Sequence, residues 1–123
     1  MGHLFDGCNS LESLDISSFN TSLNGYMNDM FSGCSKLKTL NLSNFDTSIV
    51  LNMDRCFQDC NELENLNINS FNTILVGNME NMFCNCSSLY SLNISHFNTQ
   101  LVENTAFMFK NCKLLTSLNY KEF

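Results

Sequence analysis

The chain has 123 residues and a formal net charge of −6, set by twelve acidic against six basic side chains, with no proline or tryptophan. Six bases leave no cationic stripe to neutralise phosphates, so nucleic acid is not an expected partner and neither is an anionic membrane surface. The apolar runs are a few residues long, well short of the ~20 that span a bilayer, and the N-terminus has neither a basic stretch nor an apolar signal core, so membrane insertion is not expected.

Residues 1–7 read as the end of a repeat, because everything after them recurs with one period. Cysteine falls at the evenly spaced positions 8, 34, 60, 86 and 112. Leu11, Leu37, Leu63, Leu89 and Leu115 follow three residues later, then Leu14, Leu40, Leu66, Leu92 and Leu118. Two phenylalanine columns, one from Phe5 to Phe109 and one from Phe19 to Phe123, take ten of the eleven phenylalanines. No insertion breaks the register and no Pro or Gly/Ser linker divides the chain, so one domain is expected over 1–123, with units 8–33, 34–59, 60–85 and 86–111 between partial units 1–7 and 112–123.

Within each unit the leucine segment ends in the inward-outward alternation of a strand, which predicts strands near 11–16, 37–42, 63–68, 89–94 and 115–120. Stacked in parallel they would rise about 4.8 Å per rung. The limbs between them space their apolar residues differently, as in Ile49, Met53, Cys56 and Phe57, or Leu75, Met79, Met82 and Phe83. That i, i+3/i+4, i+7 stripe predicts a short helix, with the preceding Asn/Asp-Thr-Ser as its N-cap, while Gly25 and Gly77 leave a 3₁₀ turn or a second strand open. The resulting expectation is an α/β repeat solenoid of five parallel strand rungs with short helical or 3₁₀ return limbs and no caps.

The repeat, read as Met27-x-x-Met30-Phe31-x-Gly33-Cys34-x-x-Leu37-x-x-Leu40-x-Leu42-Ser43-x-Phe45-Asp46-Thr47-Ser48, resembles the BspA-like leucine-rich repeats, the 26-residue repeats of bacterial surface proteins and mycoplasma lipoproteins. The resemblance covers the whole chain. It implies a leucine-rich-repeat-like solenoid, a place on a cell or particle surface, a role in attachment or adhesion, and no catalytic residues.

Little in the sequence suggests chemistry. His3 and His96 lie far apart with no nucleophile or carboxylate partner in a motif and read as surface histidines, so no enzyme and no cofactor are expected. Cys56, Cys60, Cys84 and Cys86 lack the CxxC spacing of a zinc site, and the seven cysteines read as buried packing thiols rather than metal ligands. The expected binding surface is the outward strand face: Ser13, Asp15, Ser17, Thr39, Asn41, Ser43, Asn65, Asn67, Asn69, Ser91, Asn93 and Ser95, with Tyr90 at its edge. This array of short amides and hydroxyls suits a protein or polysaccharide on a surface, and its side chains can equally hydrogen-bond along the ladder. An alternative is self-assembly, copy on copy, through uncapped ends: Leu4, Phe5, Asp6, Leu11, Leu14 and Asp15 at one, and Lys110, Leu115, Leu118, Lys121 and Phe123 at the other. Head-to-tail stacking would make Asp6 and Lys110 neighbours and bring Lys121 near Asp15, forming filaments.

Overall fold

The computed structural model describes residues 1–120. Four three-residue strands form: β1 (Thr39–Asn41), β2 (Asn65–Asn67), β3 (Ser91–Asn93) and β4 (Ser117–Asn119). They pair in parallel as two separate two-stranded sheets, β1 with β2 and β3 with β4. The register offset is one repeat unit in both, Thr39 opposite Asn65 and Ser91 opposite Ser117. A second line of contact runs through the parallel bridges Tyr26–Asn52, Asn52–Asn78 and Asn78–Asn104. Each unit therefore lies on the next with equivalent residues in columns.

This architecture corrects the expected one. Among the described residues there is no helix, α or 3₁₀, so the return limbs of the predicted α/β repeat solenoid do not form. Nor are there five strand rungs: segment 11–16 is not a strand, and the four strands that do form stop at pairs.

The return limb explains the misreading. Residues 27–30 and 31–34 are consecutive four-residue turns, closed from the Met30 N–H to Met27 O and from the Cys34 N–H to Phe31 O. The third residue of each has positive φ, 55° at Asp29 and 72° at Gly33, as a type II turn requires. The same pair recurs in every unit, with Arg55 and Asp59, Asn81 and Asn85, and Phe107 and Asn111 in those places. Two four-residue turns in tandem bring residues 27, 30, 31 and 34 to the core side, the same three-and-four spacing that a helix produces. A left-handed residue every few positions forbids the helix. The N–H groups that a helix would use at i−4 instead cross to the next unit, from Met53, Arg55, Phe57 and Asp59 to the carbonyls of Asn78, Glu80, Met82 and Cys84 at 2.8–3.0 Å.

The core between strand edge and return limb is made of the repeated columns. Phe31, Phe57 and Phe83 are wholly buried, and the ladder from Phe5 to Phe109 steps by 5.5–5.6 Å with rings within 10° of parallel. Cys34, Cys60, Cys86 and Cys112 are free thiols that donate to the carbonyls of Phe5, Phe31, Phe57 and Phe83 at 3.0–3.3 Å. Buried threonines lock the corner. The Thr47 hydroxyl accepts from the Asn72 N–H at 2.7 Å and donates to Asn72 O at 2.9 Å, and Thr21 and Thr73 repeat this with Asp46 and Asn98.

A candidate binding groove on the Asn/Ser/Thr face

The asparagines of this face are turn-formers before they are ligands. Asn41 Oδ1 accepts the Ser43 N–H at 3.0 Å, Asn67 that of Asn69, Asn93 that of Ser95, and Asp15 those of Ser17 at its backbone and hydroxyl. These Asx turns end each strand after three residues. The Ser17 hydroxyl and amide together hold the Asp15 carboxyl below its usual range. At Asn41, Asn67 and Asn93 the amide nitrogen is left over from the turn, a row of neutral donors beside the Asp15 carboxylate.

Two shallow grooves run along the face. One, of about 600 Å³, is lined by Ser13, Asp15, Thr39, Asn41, Asn65, Asn67 and Ser91 over a floor of Leu14, Leu40 and Leu66. The second, of about 270 Å³, continues it through Asn67, Asn69, Ser91 and Asn93 to Ser117 and Asn119. They share Leu66, Asn67 and Ser91, the residues at the seam between β2 and β3. That seam carries no strand pairing among the described residues. Side chains bridge it instead: Tyr90 Oη donates to Asn65 Oδ1 at 3.3 Å, the Ser88 hydroxyl to Asn61 O at 2.7 Å, and the His96 ring N–H to Ile68 O at 3.1 Å. Leu66 is consequently only half-buried, whereas Leu40 and Leu92 are 3% and 4% exposed.

The predicted face is thus brought together in part. Ser13, Asp15, Thr39, Asn41, Asn65, Asn67, Asn69, Ser91 and Asn93 line the grooves, whereas Ser17, Ser43 and Ser95 lie outside them as donors of the Asx bonds. Tyr90 is exposed and borders the seam. The leucine floor was not anticipated, because those leucines follow the core column. Of the predicted end residues, Leu4 and Asp6 are exposed, Phe5, Leu11 and Leu14 half-buried, Lys110 exposed, and Leu115 and Leu118 half-buried. Leu118 borders an apolar hollow of about 230 Å³ with Ile94, Met108 and Phe109. Asp6 lies 3.3 Å from His3 Nδ1, and Lys110 Nζ sits 5.2 Å from the centre of the Phe107 ring. Lys121 and Phe123 lie outside the described residues.

Two sets of charged contacts join the units: Lys36 Nζ donates to Glu62 Oε1 at 2.6 Å just before the strands, and a second set lies on the return limb. Arg55 donates to both carboxylate oxygens of buried Asp29, at 2.8 and 3.1 Å, and lies 3.0 Å from Asp54 Oδ2. Burial pushes the Asp29 carboxyl up, but the Arg55 hydrogen bonds and charge outweigh it and hold the group below the usual carboxylate range. This pair locks adjacent units together.

The family described as Mycoplasma protein of unknown function, DUF285, matches residues 1–121. The chain belongs to this family. No curated protein and no solved structure matches it.

Proposed function

We propose that the chain is a non-enzymatic surface module that binds an extended macromolecule, a protein segment or a polysaccharide, along the Asn/Ser/Thr grooves. The observation that carries this reading is a groove of neutral, short hydrogen-bonding groups over a leucine floor, continuous across the units and containing one charged residue, Asp15. Such a lining offers hydrogen bonds to hydroxyls or peptide groups and apolar contact to the faces between them. Membership of a mycoplasma family and the resemblance of the repeat signature to BspA-like repeats support a place on the cell surface and a role in attachment.

The test is binding of the whole chain to panels of neutral polysaccharides and of extracellular proteins. Thr39→Arg and Ser91→Arg, both on exposed groove positions, are expected to abolish capture without moving the melting temperature. Capture that survives both substitutions refutes the groove assignment.

A second reading, head-to-tail assembly of copies, is supported by the apolar hollow beside Leu118. Leu118→Lys should remove any high-mass species if that reading holds, and leave the mass distribution unchanged if it does not.

A further inference from the structure

Each unit rounds its corner through a turn closed from the N–H of Asn24, Val50, Val76 or Val102 to the carbonyl of Thr21, Thr47, Thr73 or Thr99 at 2.9–3.1 Å. The third residues of these turns are Leu23, Ile49, Leu75 and Leu101, exposed by 92%, 42%, 41% and 55%. Turn tips favour Gly, Asn, Asp and Ser, and nothing in the backbone here asks for an aliphatic side chain. Beside the Ile49 and Leu75 tips the core slot is already filled by Val50 and Val76, which are wholly buried. The constant repeat register lines the four aliphatic residues into one stripe. Tyr26, Leu51 and Ile74, each about half exposed, widen it.

We infer that this stripe is a homodimer interface, on which a second copy of the chain lays its own stripe antiparallel. Area is the first argument. The seven residues expose the equivalent of nearly four complete side chains, roughly 600 Å² of apolar surface, at the upper limit of patches on ordinary monomers. With the polar rim of Ser22, Ser48 and Gln100 that approaches the ~800 Å² per partner of a stable interface. Charge is the second. Within 22–26, 48–52, 74–78 and 100–104 the one charged residue is Glu103, so the surface offers nothing to a charged partner and complements itself. A two-fold axis between Ile49 and Leu75 sets Ile49 against the partner's Leu75 and Leu23 against the partner's Leu101. It also places Glu103 beside the partner's Gly25, whereas a parallel arrangement would oppose the two glutamates.

Sedimentation velocity of the whole chain in reducing buffer over a concentration series tests this, with flotation on neutral phosphatidylcholine vesicles alongside. A species of twice the 14.0 kDa chain mass is expected. Ile49→Glu or Leu75→Lys alone should weaken it roughly tenfold or more and leave the dilute monomer folded, since both side chains are about two-fifths exposed in the single chain. Ile49→Glu combined with Leu75→Lys should recover most of the loss, because in the antiparallel register each Glu meets a Lys. Leu118→Lys, remote from the stripe, should leave the dimer intact. A monomer at every concentration, a dimer indifferent to Ile49→Glu, a double variant no better than the singles, or a monomer that floats with vesicles overturns the inference.

Discussion

Replacing Thr47 by valine keeps the shape of the side chain and deletes one hydroxyl. In the structure that hydroxyl is wholly committed: it accepts from the Asn72 N–H and donates to Asn72 O, at a residue 1% exposed. Two neutral hydrogen bonds contribute about 1 kcal/mol each, and an orphaned backbone group costs about 1–3 kcal/mol where water cannot reach it. The extra methyl returns part of this through apolar burial, leaving a net loss of about 2–3 kcal/mol. For a chain of this size that lowers the melting temperature by about 6–12 °C. The control is Thr39, an exposed threonine of β1. Thr39→Val should change stability by no more than about 0.5 kcal/mol. Urea unfolding in reducing buffer measures both. Equal effects at 47 and 39 would refute the claim that the buried threonine hydroxyl ties unit to unit.

Other expectations follow from the same geometry. Asn85 sits at φ 62°, so Asn85→Ala should be less stable than Asn85→Gly by about 1 kcal/mol in denaturant titration, both variants having lost the same amide; equality would remove the left-handed turn. Phe57 is fully buried between Phe31 and Phe83, and Phe57→Ala should cost about 3–5 kcal/mol; a variant as stable as the parent would displace it from the core. Burial pushes the thiols of Cys34 and Cys112 up to about 11, and those of Cys56, Cys60 and Cys86 upward as well, from an ordinary value near 9. Between those values the folded chain keeps protons that the unfolded chain releases, so the thiols' contribution to stability is constant from neutral pH to about pH 9 and falls as pH rises towards 11 and beyond. Thermal melts across that window check this, and Cys34→Ala should make the fall shallower.

The sequence made the columns plain and the backbone between them less so. The leucine, phenylalanine and cysteine columns mark core positions because repetition in one unbroken register admits few other arrangements, and Leu37, Leu63, Phe31 and Cys60 are indeed buried. The return limb was misread because tandem four-residue turns and a helix share a three-and-four spacing. The signal that separates them was present in the column Gly7, Gly33, Asp59, Asn85 and Asn111, all residue types that tolerate positive φ. The strands were drawn too long at both ends: Leu37, Leu63 and Leu89 still close turns on Cys34, Cys60 and Cys86, and each Asx turn at Asn41, Asn67 and Asn93 ends the strand on the other side. Period-two alternation puts Thr39, Asn41, Asn65, Ser91 and Asn93 on the exposed side of the strands, but the open seam between β2 and β3 depends on which neighbouring strands pair, and no local pattern distinguishes Asn65–Asn67 from Thr39–Asn41 in that respect. The apolar stripe was hidden in the helix reading, which turned Ile49 and Leu75 inward in place of Val50 and Val76.

Both the neutral groove and the apolar stripe exist only if unit lies on unit in one fixed register, through backbone bonds and not through helical limbs. Nuclear Overhauser contacts along residues 53–59 and 79–85 of the labelled chain test this most directly. The account predicts amide contacts from Met53, Arg55, Phe57 and Asp59 to Asn78, Glu80, Met82 and Cys84 respectively, each donor meeting its acceptor in the following unit. Sequential amide contacts with an i to i+3 and i+4 helical pattern through those segments, and none across units, would contradict it.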